Sequence, residues 1–227
     1  MEVKNTKEIK SPYINMLLYG QSGTGKTTTA STFVNALYLN IESGIVTLKG
    51  KDIDYVDIES WDDLIEVYLK LKSKELDYDT VIIDSVTELA NRRFDEVKGN
   101  REEMNRHLWG ILTGDIKKFL RNFRDLEMNV VFIFLSEEKE DGNTVLVRPS
   151  MFGNKLAGQA FSYVDLAGYC STKRVGDEYK YFTQFTGDSR IECKSRFKGI
   201  KGEVENVTYD LLRKLMKDDV VKDEDKK

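Results

Sequence analysis

Short, nearly unbroken apolar runs recur along the first 135 residues, at 13–19, 36–41 (ALYLNI), 80–84 (TVIID) and 129–135 (NVVFIFL), and a further short strand is expected at 54–58. Runs of this length without polar alternation read as strands buried on both faces. Between them the apolar period lengthens to that of a helix. Ser60 is placed to cap a helix reaching residue 73, with Asp62 and Asp63 in its first turn and an apolar stripe of Trp61, Leu64, Ile65, Tyr68, Leu69 and Leu71. A second helix starts near Val86, and a third, over 113–127, carries Ile116, Phe119, Leu120, Phe123 and Leu126. The residues after Lys26, TTTASTFVNAL, also read as helix. Buried strands alternating with helices predict an α/β fold, a mostly parallel sheet with helices on both faces.

After Ser136 the texture changes. Asp141-Gly142-Asn143 and Gly176-Asp177 read as hairpin turns, the latter between runs 166–174 and 179–185. Gly187-Asp188-Ser189 leads to a last strand near 190–196, and Thr208 is placed to cap a final helix over 209–217. The second half is therefore expected as an antiparallel hairpin extension of the same sheet. The expected division is a flexible arm at 1–12, one domain over 13–205, and a C-terminal helix with a charged tail at 206–227.

The stretch between the first two runs carries the chemistry. GQSGTGKT, Gly20 to Thr27, fits the G-x-x-x-x-G-K-[ST] phosphate-binding loop. Gly20, Gly23 and Gly25 free the backbone of Cβ clashes, so that the N–H groups of Gln21, Ser22, Thr24 and their neighbours through Thr28 can turn inward on an anion. Lys26 can reach the outer phosphates, and the Thr27 hydroxyl is the expected protein ligand of Mg²⁺. Asp84, at the carboxyl end of an apolar strand, is the expected second carboxylate of the Mg²⁺ site. Many ATPases place a Glu directly after that Asp; here the position is Ser85. The group that orients or deprotonates water must come from elsewhere, and Glu42, after the ALYLNI strand, is the best placed.

Composition narrows the classes. The chain has 227 residues, 33% of them charged, and a net charge of −4, enough for one domain with a substantial core. A protein that coats nucleic acid by charge alone is disfavoured, so any such contact needs local basic patches. Cys170, Cys193 and the lone His107 lack metal-ligand spacing. No segment resembles a signal peptide or an 18-residue apolar span, so a cytoplasmic protein is expected. A GTPase is disfavoured, because Asn154-Lys155 lacks a following Asp and no Gly stands three residues after Asp84.

A P-loop, a strand ending NIES, and VIIDS without a following Glu together resemble the RecA type of ATPase. The resemblance is closest to the small phage-encoded RecA-like single-strand annealing ATPases, the fourth Sak class, also labelled phage nucleotide-binding protein. It extends from about residue 11 to 196. It implies a RecA-like P-loop core, ATP and Mg²⁺ as cofactors, single-stranded DNA as partner with a single-strand binding protein as a further one, and a host-cytoplasm role in phage recombination. It also implies a homo-oligomer, ring or filament, in which Lys194 and Arg196 of the CKSRF segment complete the neighbour's site. The DNA-facing stretches it implies are 92–109, with Arg92, Arg93, Arg101, Arg106 and Trp109, and 137–158, with Arg148 and Lys155. Two departures stand out: Ser136 occupies the place of a γ-phosphate-sensing Gln or His, and no separate oligomerisation domain is recognisable. The alternatives are a P-loop kinase of a small molecule and a non-catalytic ATP-gated scaffold.

Overall fold

The structure, a computed structural model, describes Asn5 and residues 13–224 apart from 43, 143 and 153; the side chains at 141, 154, 155 and 218–224 lie outside the description. The arm expected at 1–12, save Asn5, and Asn143 of the expected 141–143 turn therefore fall outside it, while the hairpin itself is present, Asp141 pairing with Thr144.

Among the described residues ten strands form the sheet: β1 (Asn15–Gly20), β2 (Ala36–Asn40), β3 (Asp54–Asp57), β4 (Thr80–Asp84), β5 (Asn129–Asp141), β6 (Thr144–Pro149), β7 (Leu166–Val175), β8 (Glu178–Gln184), β9 (Lys194–Ser195) and β10 (Glu203–Glu205). The order is β10-β8-β7-β1-β5-β4-β2-β3, with β6 on the outer half of β5 and β9 on β7. Strands β7, β1, β5, β4, β2 and β3 run parallel, so the α/β class with a mostly parallel sheet expected from the run pattern is the one observed. The P-loop strand β1 and the Asp84 strand β4 are separated by β5.

Among the described residues six α-helices cover the sheet: α1 (Lys26–Ala30), α2 (Trp61–Lys72), α3 (Val86–Lys98), α4 (Arg106–Arg124), α5 (Asn154–Ala160) and α6 (Tyr209–Glu224). Strand alternation divides the interior into two cores. Leu17 and Tyr19, Val81 and Ile83, and Phe132 and Phe134 face α2, α3, α4 and α5, whereas Met16, Leu18, Tyr38, Ile82 and Ile133 face α1 and α6. On α2 the expected Ser60 cap is present as a capping box with Asp63. Its buried side is Leu64, Val67 and Leu71, while Ile65 and Leu69 stay 44% and 55% exposed. The stripe is thus rotated about one residue from the expected one, bringing in Val67.

Four expectations are corrected. The helix after Lys26 has only five residues. Consecutive β-branched Thr27, Thr28 and Thr29, followed by Ser31 and Thr32, disfavour a longer one, and Asn35 turns the chain at φ 40°. Helix α6 covers the ground an extended α1 would have held: Tyr209 N–H donates to Thr32 Oγ1 at 2.9 Å, and the Phe33 and Tyr209 rings lie 5.0 Å apart. Helix α4 begins at Arg106, not 113, because Asn105 caps it by accepting from Leu108 N–H at 3.0 Å. Strand β7 is not part of an antiparallel extension at its start, since residues 166–169 pair parallel with β1 and only its outer half forms the hairpin with β8. Finally, the expected strand over 190–196 is two residues long, and α5 and β10 carry no signal that the run pattern caught.

Candidate nucleotide site

At the carboxyl ends of β1, β4 and β5 a cavity is lined by Ser22, Gly23, Thr24, Gly25, Lys26, Thr27, Thr28, Glu42, Asp84 and Ser85, with Ile133 and Leu135 as its apolar wall. Local geometry explains the glycines. Gly23 and Gly25 take φ of 77° and 83°, the left-handed region open to a residue without a Cβ. A Cβ on Gly20 would stand 2.3 Å from the Cys170 carbonyl oxygen, so the loop's approach to β7 requires glycine there too. The Thr24 hydroxyl donates to the Gln21 carbonyl at 2.8 Å and draws the loop round. With α1 only five residues long, the anion-binding capacity rests on the loop's own N–H groups rather than on a long helix dipole.

Lys26 is buried, and its ammonium donates to the carbonyls of Gly20 at 3.0 Å and Gln21 at 2.7 Å. Burial pushes its pKa below the ordinary lysine value, opposed by nearby groups that include Asp84 and Glu42. The cation thus sits poorly hydrated inside the loop, a state that a phosphate oxygen relieves.

Across the cavity, the Thr27 hydroxyl donates to Asp84 Oδ2 at 2.7 Å, and the Tyr38 hydroxyl donates to the same oxygen at 2.7 Å. Alternation dictates this meeting: Tyr38 and Glu42 share one parity in β2 and its extension, and Asp84 shares the parity of Ile82, all on the α1 face. The Thr27–Asp84 pair fits Mg²⁺, an ion that takes oxygen ligands and is usually held by one or two protein groups plus phosphates and water. Tyr38 keeps its proton, its pKa raised by burial and by the adjacent Asp84.

Glu42 lies in the same cavity, where its Oε1 accepts a short hydrogen bond from the Ser85 hydroxyl. Ser85 also caps α3 by accepting from Glu88 N–H at 3.2 Å. The residue that stands in place of a second acid therefore holds the displaced one. Arg92 braces the segment from below, donating to the carbonyls of Ile41 at 2.5 Å and Ile58 at 2.8 Å and pairing with Glu88 at 3.2 Å.

Tyr38, Ser85 and Tyr181 are site residues that motif reading missed. The Tyr181 ring, on β8, packs on the P-loop, its Cδ1 2.9 Å from where a Gly25 Cβ would be. Parity with Glu42 could have found Tyr38; nothing local could have found Tyr181, which arrives from β8 across the sheet. Ser136, expected near the γ-phosphate, has the parity of Phe134 and so the opposite face, and its neighbour Leu135 lines the cavity instead. Glu137, on the cavity parity, pairs with Arg148 at 2.8 Å.

Lys194 and Arg196 do not line this cavity. Lys194 donates to the carbonyls of Phe161 and Val164, both at 2.7 Å, and Arg196 pairs with Asp165 at 2.7 Å. The residues expected to face DNA divide. Arg92 and Arg148 are spent on the partners above, and Arg93 pairs with Asp115 at 2.7 Å and Glu96 at 2.8 Å while stacking over Trp61. Arg101, Arg106 and Trp109 are exposed around the break between α3 and α4, with Trp109 resting on Phe94 and Phe152. Arg106 and Trp109 stand in the first turn of α4 and Arg101 in the short connection before it, rather than on a long loop. The Lys155 side chain lies outside the described residues. No helix among the described residues is long and apolar enough to cross a membrane.

Solved structures of similar fold include a KaiC-like protein from the hyperthermophilic archaeon Pyrococcus horikoshii OT3, at 16% identity over 85% of this chain and 88% of that one, with a TM-score of 0.46. The flagellar accessory protein FlaH from Methanocaldococcus jannaschii is similar at 12% identity over 87% and 91%, with a TM-score of 0.45. No curated protein matches the chain. The profile of the AAA domain family matches residues 13–197, the whole span from the P-loop strand to the segment carrying Lys194 and Arg196. With the P-loop, the Thr27–Asp84 contact and Glu42 gathered in one cavity, this chain belongs to the AAA domain family and is a P-loop ATPase.

Proposed function

We propose that this protein is a Mg²⁺-dependent ATPase that binds single-stranded DNA and promotes annealing in phage recombination, working as a homo-oligomer. The observation that carries the ATPase part is the joining of Thr27 to Asp84 at 2.7 Å beside Glu42. When bound there, Mg²⁺ supplies charge neutralisation to the outer phosphates. The chain's own groups do the rest. The loop N–H groups and Lys26 bind and orient the triphosphate, and Glu42, steadied by Ser85, accepts a proton from water aligned with the terminal phosphate.

The DNA part is supported by the resemblance to the phage annealing ATPases and by the exposed Arg101, Arg106 and Trp109, cations beside a ring able to stack on a base. The oligomer part is supported by Lys194 and Arg196. Both stand outside their own cavity, held on the Phe161 and Val164 carbonyls and on Asp165, contacts that a neighbour's triphosphate would have to replace. The test is ATP hydrolysis with and without single-stranded DNA, on wild type and Glu42→Gln. Stimulation by DNA, with turnover lost and nucleotide retained in the variant, is expected. Unstimulated hydrolysis together with no DNA retention at low salt would reject the DNA role. Full turnover by Glu42→Gln would reject the assignment of the base.

A further inference from the structure

Two edges of the sheet carry opposite charge. From residue 51 to 66, around edge strand β3, there are seven carboxylates against one lysine; from 190 to 201, around β9, there are five cations against one carboxylate. Strand β3 ends the sheet order on one side, and β7, β8, β9 and β10 make up the other.

Each edge has a cavity of matching chemistry. On the acidic side, Asn40, Tyr55, Asp57 and Glu59 line one at the ends of β2 and β3. Asn40 is 6% exposed there, and while its amide donates to Asp57, its Oδ1 is buried with no hydrogen-bond partner. An orphaned buried acceptor beside two exposed carboxylates calls for a donor, and a cationic one is favoured. The Arg92 guanidinium in the same lining is spent on the carbonyls of Ile41 and Ile58. On the basic side, Lys194, Arg196, Lys198 and Lys201 ring an apolar floor of Phe197 and Ile200.

The two cavities also lie at the same height. Asn40 is in register with Asp84, Asp84 with Ile133, Ile133 with Leu18, and Leu18 with Gly168. Lys194 pairs with Ala167, one residue away. Two copies set side by side in the same orientation therefore bring the cationic edge of one level with the acidic edge of the next.

We propose that a second copy of this chain is the occupant of both cavities: the β9 edge of one subunit docks head to tail on the β2–β3 edge of its neighbour, with Lys198 and Lys201 facing Asp57 and Glu59. This rests on the homo-oligomer put forward above and names the surface that builds it. Glu42 follows Asn40 by two residues, so the contact sets Lys194 and Arg196 beside the neighbour's nucleotide cavity. Such a contact is heterologous and generates a ring or a filament according to whether the rotation closes.

Charge exchange tests it. One variant carries Asp57→Lys with Glu59→Lys, the other Lys198→Glu with Lys201→Glu; all four residues are exposed, and thermal melts verify folding. Masses are read by sedimentation velocity at low salt with a non-hydrolysable ATP analogue. Wild type is expected to assemble, and each variant alone to run as a single subunit. An equimolar mixture should regain the wild-type mass, because alternating copies restore every contact. Wild type staying single-subunit, with or without single-stranded DNA, would overturn the oligomer itself. Wild type assembling while the variants also assemble alone, or fail to rescue one another, would overturn only this surface. Loss of single-stranded DNA retention by the second variant at unchanged mass would give the basic edge to nucleic acid instead.

Discussion

Gly25→Ala tests how tightly the P-loop is built against the sheet. Gly25 holds φ 83° and ψ 9°, and a Cβ there meets Tyr181 Cδ1 at 2.9 Å and Cγ at 3.2 Å. Two separable costs follow. The left-handed conformation costs an L-residue about 1–2 kcal/mol. The Cβ also stands inside ordinary carbon–carbon contact, and displacing the ring adds about 1–3 kcal/mol. The total, about 2–5 kcal/mol, corresponds to a fall in Tm of roughly 4–20 °C for a chain of this size. Calorimetry on Gly25→Ala, Tyr181→Ala and the double variant apportions it through a double-mutant cycle. The ring component should vanish in the Tyr181→Ala background while the backbone component of about 1–2 kcal/mol remains. A Gly25→Ala protein within about 0.5 kcal/mol of wild type would refute the reasoning, because surface substitutions without a packing role stay in that range. So would a cost that Tyr181→Ala leaves unchanged, since the ring would then not be what the Cβ meets.

Burial raises the pKa of Tyr19 and of Tyr38, so their hydroxyls stay protonated in the fold after the unfolded chain has begun to ionise. Their contribution is therefore fully present below about pH 10 and lost as pH rises beyond it, at about 1.4 kcal/mol per pH unit for each; Tyr38→Phe should flatten the alkaline slope of stability by about one proton. Arg92→Met removes the brace under Glu42, where the guanidinium serves the Ile41 and Ile58 carbonyls. A loss of about 1–3 kcal/mol in denaturant unfolding is expected, together with slower hydrolysis that Arg92→Lys restores only in part. Ser85→Ala frees Glu42 Oε1 and removes the α3 cap; it should cost about 1 kcal/mol of stability and lower kcat more than KM, whereas equal hydrolysis in wild type and variant would count against Ser85 as the residue positioning Glu42.

The first half of the chain was legible because its signals are local. Nest-forming glycines, a lysine and a hydroxyl at fixed spacing, and apolar runs buried on both faces are properties of a few consecutive residues. They placed the P-loop, Asp84, Glu42, the Ser60 cap and the parallel core with no partner segment specified. What they could not supply was anything set by two distant segments meeting. Tyr181 reaches Gly25 from β8, Tyr38 meets Asp84 only because β2 and β4 pair in register with equal parity, and α6 replaces the turns missing from α1. Arg92 and Arg148 read as surface cations until the fold showed the carbonyls and the carboxylate that accept their hydrogen bonds. Periodicity determines which residues share a face, but strand order and register decide what that face meets, and those are settled by packing over the whole chain rather than by any stretch of it.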